Sequence, residues 1–87
     1  MTEITLIIKN DVGLHARPAA IFVQKACQFE SSINVTYDGK KVNAKSILGI
    51  LSLGAGHGAV IRVEAEGPDS AQALEELRIM VDNDFQE

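Results

Sequence analysis

The chain of 87 residues has one cysteine, no tryptophan, two prolines and four aromatic residues in the form of three phenylalanines and one tyrosine. A single cysteine closes no internal disulfide, so no such framework holds this fold, and a reducing compartment, the cytoplasm, is the simplest setting. Basic residues are in the minority, with eight Lys and Arg against twelve Asp and Glu for a net charge of −4. Nucleic-acid binders ordinarily present a basic face, so direct nucleic-acid contact is not expected. No apolar run is long enough for a membrane span, and Met1–Asn10 offer neither the basic start nor the apolar stretch of a signal peptide. Two histidines, His15 and His57, do not by themselves make a metal site, and no cofactor is expected.

What is present is apolar and periodic, with 46% hydrophobic residues, too many for a disordered chain. The length suits one domain over residues 1–87. A domain of this size buries only roughly 60–65% of its unfolded surface, which leaves no room for a deep enclosed cleft. Chemistry is therefore expected on the surface, with groups borrowed from a partner.

Ile4, Leu6 and Ile8 alternate within residues 3–9 and predict a strand that ends at the breaker cluster Asn10-Asp11-Val12-Gly13. Ala19, Phe22, Val23, Ala26 and Cys27 then recur at three and four residues, one face of a helix, with Cys27 expected in the core. Pro18 is compatible with that helix only in its first turn, which puts the start near Ala16. Ile33, Val35 and Tyr37 predict a second strand, Asp38-Gly39 a tight hairpin, and Lys40–Asn43 the returning third strand. Ser46 is a suitable N-cap for a short helix through Leu51, stopped by Gly54. Ala59, Ile61, Val63 and Ala65 predict a fourth strand, broken by Gly67-Pro68. Asp69 and Gln72 have the spacing of a capping box, and Leu74, Leu77, Met80 and Val81 mark a final helix with Glu75 and Arg78 exposed. Strands and helices in this order predict an α+β two-layer domain, an antiparallel sheet covered on one face by helices.

The segment that carries chemistry is Gly13-Leu14-His15-Ala16-Arg17-Pro18. A helix begins with unpaired N–H groups and about half a positive charge, which favours phosphate. Arg17 adds a permanently charged fork matched to phosphate oxygens. The same cationic surroundings favour the neutral imidazole of His15, the form that attacks phosphorus. Once phosphorylated, His15 would bring its charge to those amides and to Arg17. This is half of a covalent mechanism: neither paired carboxylates nor metal ligands lie nearby in the sequence to complete an enzyme. The residues alone leave open that His15 is a loop histidine beside a helix cap.

Those residues resemble the active-site signature of the histidine-containing phosphocarrier family, HPr, of the bacterial sugar phosphotransferase system. Lys45-Ser46-Ile47-Leu48-Gly49-Ile50-Leu51-Ser52-Leu53-Gly54 resembles the family's regulatory-serine segment, and the resemblance spans the chain. It implies an open-faced β-sandwich with sheet order 1-4-2-3 and three helices on one face. It implies a carrier, not an enzyme: His15 would take a phosphoryl group from phospho-enzyme I on Nδ1, with Arg17 and the backbone amides of Ala16 and Arg17 around it. His15 would then pass the group to EIIA domains of sugar permeases.

The resemblance also implies that Ser46 is phosphorylated by the HPr kinase/phosphorylase, and that the phosphorylated protein binds a transcriptional regulator in carbon catabolite repression. It implies a partner surface of Ala20, Gln24, Ile47, Leu48 and Leu51; Ile47 and Leu51 could equally be core by pattern. A cytoplasmic monomer is expected. Competing readings are a regulator acting only through Ser46, a carrier in a nitrogen-related phosphorelay, and a small binding module that transfers no phosphoryl group. The Gly54-x-Gly56-x-Gly58 loop precedes a strand and is no dinucleotide fingerprint. His57 within it is expected to be a solvated loop residue, and Asp82, Asp84 and Glu87 a solvated tail.

Overall fold

The computed structural model describes residues 2–10 and 13–85. Asp11 and Val12 of the breaker cluster, Met1 and Glu87 lie outside the described residues. The elements are β1 (Thr2–Ile7), α1 (Ala16–Ala26), β2 (Ser32–Tyr37), β3 (Lys40–Asn43), α2 (Ile47–Ser52), β4 (Val60–Glu66) and α3 (Ser70–Asp82). The four strands form one antiparallel sheet in the order β1-β4-β2-β3. This is the order that the family resemblance implies.

The register explains why alternation builds a core. Ile4 pairs with Val63 and Leu6 with Ile61 across β1 and β4, while Ile33 pairs with Ala65 and Val35 with Val63 across β2 and β4. All of these therefore point to one face, where the apolar stripes of the helices cover them: Ala19, Phe22 and Ala26 of α1, Ile50 of α2, and Ala73, Leu74, Leu77, Met80 and Val81 of α3. The opposite face is exposed and mostly polar, with Ile7 and Val60 paired at one end. Arg62 pairs with Glu3 at 3.4 Å, and Lys41 with Glu64 at 3.7 Å. The sandwich is thus open on one side.

The Asp38-Gly39 turn has φ of 51° and 81° at its two central residues, the conformation that matches the twist of the β2–β3 hairpin. Gly54 follows α2 at φ 66°, as a helix stop requires.

Three expectations need correction. Cys27 is exposed: α1 ends at Ala26, so Cys27 is its C-cap and has left the buried stripe. The capping box at α3 does not form. Asp69 makes no side-chain cap bond and instead accepts from the Ser31 hydroxyl at 2.5 Å and from the amides of Ser31 and Glu30 at 3.0 and 2.9 Å. The buried Ser31 competes for that carboxylate and wins, while Gln72 bonds to Glu76 at 3.0 Å. Asp82 is more than solvated tail, because it pairs with Arg78 at 3.1 Å and with Lys9 at 3.7 Å.

Candidate functional site at the start of the first helix

His15 is the N-cap of α1, in extended backbone (φ −91°, ψ −174°), and its carbonyl accepts the Ala19 amide at 2.7 Å. Its side chain is exposed and makes no capping bond. Of the three first-turn residues, Pro18 has no N–H to leave unpaired. The amides of Ala16 and Arg17 remain, and no acceptor within the helix can reach them. Arg17 is exposed, and no acidic residue occupies the first turn. An imidazole, two amides and a guanidinium thus share one exposed helix end.

Gly13 and Leu14, which lead into His15, are held by specific contacts. Leu14 is buried and donates its amide to Ala55 O at 2.8 Å. Gly13 has φ +69°, and a Cβ there would lie 2.5 Å from Ala55 O and from Gly56 Cα. Only glycine lets the backbone pass so close to that neighbouring loop. Asn10 closes the other side, donating Nδ2 to Gly13 O at 2.8 Å.

Ser46 caps α2 as its type predicts: its Oγ accepts the Gly49 amide at 3.1 Å. Helices α1 and α2 pack together. On α2 the alternative that Ile47 and Leu51 are core fails. They are 41% and 38% exposed, beside Leu48 at 77%, while Ile50 alone of the helix is buried. On α1, Ala20 is half-buried and Gln24 exposed. A groove of about 420 Å³ between α1 and α3, lined by Ile21, Gln24 and Met80 among others, includes none of His15, Arg17 and Ser46. The exposed start of α1 is thus separate from that groove. No group of three His, Cys, Asp or Glu placed to hold a metal occurs among the described residues, and none of their helices is long and apolar enough to cross a membrane.

Residues 2–83 match the model of the PTS HPr component phosphorylation site family. The chain belongs to the HPr family. HPr from Thermoanaerobacter tengcongensis is 53% identical over 100% of this chain and 98% of its own, with a TM-score of 0.97. The phosphocarrier protein HPr of Bacillus anthracis is 46% identical over 92% and 95% of the two chains, with a TM-score of 0.89. Crh, the catabolite repression protein of Bacillus subtilis, solved as a dimer with a swapping domain, is 41% identical over 100% of both chains, with a TM-score of 0.77. The HPr family places this chain among the phosphocarriers of the phosphotransferase system, which are not enzymes in their own right.

His57 is exposed, as expected, but it has a partner that sequence reasoning missed. Its Nδ1 lies 3.1 Å from Lys9 O and 3.3 Å from Asn10 O, so the exposed ring is also tied to the backbone. Its place in a glycine-rich loop carried no hint of that partner, which is 48 residues away in sequence at Lys9.

Proposed function

We propose that this HPr-family chain carries a phosphoryl group on Nδ1 of His15 from phospho-enzyme I to EIIA domains of sugar permeases. The observation that supports this most is the uncapped start of α1, where an exposed histidine and Arg17 meet two amides that have no acceptor among the described residues. Neutral Nδ1 attacks the phosphorus, an N–P bond forms, and the bond to the donor breaks. The phosphoryl oxygens then accept from the amides of Ala16 and Arg17 and from the Arg17 guanidinium, which stabilises the loaded carrier. The donor and receiving proteins supply the rest of the transition-state stabilisation. The exposed Ile47, Leu48 and Leu51, with Ala20 and Gln24, form the surface on which these partners dock.

Ser46 is the regulatory site in this reading, phosphorylated by the HPr kinase/phosphorylase. The likeness to Crh, a catabolite-repression protein, supports that role and a transcriptional regulator as partner of the phosphorylated form. Phosphate at the α2 N-cap adds nearly two negative charges where a helix start tolerates them, so the fold is kept while an acidic partner is repelled. A purely regulatory protein would not need the histidine, and His15 is present. In this reading the carrier acts in the cytoplasm as a monomer.

The test is incubation with enzyme I and phosphoenolpyruvate, followed by mapping of the modified residue. The expected product is acid-labile, base-stable and confined to His15. Equal labelling of a His15→Ala variant would overturn the assignment.

A further inference from the structure

We propose that His57 is a positioning residue for the phosphoacceptor site: its Nδ1–H clamps the 54–58 loop to the Lys9–Asn10 backbone and so holds the segment that presents His15. This inference rests on the carrier reading above. Both neighbours of Nδ1 are carbonyl oxygens, at 3.1 and 3.3 Å, and a carbonyl can only accept. Nδ1 must therefore carry the hydrogen, which leaves Nε2 outside the contact.

The clamp lies at a junction. Gly58 N donates to Ile8 O at 2.7 Å and Leu14 N to Ala55 O at 2.8 Å, so the loop bridges the end of β1 and the residue just before His15. Asn10, one of the two carbonyls that His57 holds, itself donates Nδ2 to Gly13 O at 2.8 Å and accepts the Gly13 amide at 3.3 Å. A chain of contacts thus runs from His57 through Asn10 to Gly13, two residues before His15. Those backbone bonds anchor the loop at either end of His57. A Cβ at Gly54, Gly56 or Gly58 would meet nothing within 4 Å, so those positions are open. Ala55 is buried, and His57 is the polar side chain of the stretch that reaches back to β1's end. Three glycines in five residues carry a large entropic cost of ordering, and a side-chain tie offsets part of it. His57 touches no reacting atom; it acts through Asn10 and Gly13.

The experiment measures phosphorylation of His15 by enzyme I and phosphoenolpyruvate, at varied carrier concentration, for the parent and for His57→Ala, His57→Asn and His57→Gln. Thermal midpoints and backbone amide shifts accompany each variant. An Asn side chain places its N–H near the position of Nδ1, and a Gln places it near Nε2. His57→Ala should lower the maximal rate about fivefold, the factor one ordinary hydrogen bond is worth, with little change in KM. The amide shifts of Leu14 and His15 should move in the same variant. His57→Asn should restore rate and shifts to within about twofold, and His57→Gln should not. The inference falls if His57→Ala matches the parent, if only KM changes, which would mark His57 as a docking contact, or if Gln rescues as well as Asn. If the parent itself is not labelled on His15, the carrier reading is what has failed.

Discussion

Helices α1 and α2 pack against each other but finish their first turns in opposite ways. At α2 the N-cap Ser46 turns its own hydroxyl back onto the Gly49 amide at 3.1 Å. At α1 the N-cap His15 gives nothing back, and Pro18 two residues inside the helix removes one donor without satisfying the others. An N-cap of the preferred type is worth about 1 kcal/mol. The first helix forgoes that contribution; the second takes it. In the carrier reading, the open helix end is where the phosphoryl oxygens are received. A closed one is a structural device on which a modification can be superimposed.

The contrast can be broken most sharply by exchanging alanine at the two caps. His15→Ala should abolish phosphoryl acceptance completely while leaving the denaturant midpoint within about 0.5 kcal/mol of the parent, because an exposed side chain with no capping bond is lost. Labelling with phosphoenolpyruvate and enzyme I, beside a urea titration, reads both. If His15→Ala unfolds the chain, the first cap is structural after all and the contrast collapses.

The approach loops differ in the same sense. Gly13→Ala should destabilise by roughly 2–4 kcal/mol, the sum of a left-handed alanine and a collision with the Ala55–Gly56 backbone. It should also slow His15 phosphorylation, since Gly13 leads directly into the acceptor. Gly54→Ala, after α2, has a similar positive φ but open space around the new methyl. It should cost only about 1–2 kcal/mol and leave the transfer rate alone. Thermal unfolding and initial labelling rates separate the two; equal effects would show that the packing of Gly13 against the 54–58 loop does not shape the site.

Ser46→Ala is the smaller counterpart of the histidine change. It should lower stability by about 1 kcal/mol through loss of the cap. For a domain of this size that corresponds to a fall of roughly 4–8 °C in the thermal midpoint. Phosphoryl acceptance at His15 should stay near the parent level. A calorimetric scan that finds no loss of stability would mean that the bond to Gly49 contributes nothing.

These caps also mark how much could be read from residues alone. Ser46 was legible because its type, and the apolar run behind it, both point to a helix start. The strands were legible because Leu6, Ile61, Val63 and Val35 alternate, and alternation needs no knowledge of what pairs with what. Which strand sits beside which is a long-range matter, and the order β1-β4-β2-β3 came from the family resemblance and not from pattern. The pattern also could not see competition for one side chain. Asp69 has the spacing to cap α3, yet the buried Ser31, 38 residues earlier, takes its carboxylate. Cys27 failed for a local reason, since the helix stops one residue short of it. His15 and Arg17 were visible as a charged pair at a helix start, whereas the clamp at His57 depends on a backbone partner that no spacing announces.

Asp69 supplies a third helix start and the mildest test of the comparison. It is the N-cap of α3, but it spends its carboxylate on another part of the chain. The Ser31 hydroxyl, followed by the Glu30 amide, holds the Asp69 carboxyl below its ordinary value of 3.8. A depressed folded-state pKa means that the unfolded chain takes up the proton more readily. The stabilisation is therefore complete above the ordinary value and is lost as pH falls through the depressed one. Glu75, held low by the Arg78 guanidinium, adds to the same acid limb. Asp69→Asn should accordingly have a lower urea midpoint than the parent at neutral pH. The two midpoints should draw together as the parent is titrated toward about pH 2, with the share due to Glu75 remaining in both. A constant gap across that range would mean that the ionised carboxylate adds nothing over a neutral amide. In that case α3, like α2, would be held by ordinary hydrogen bonds, and α1 would stand alone as the helix start at which charge matters.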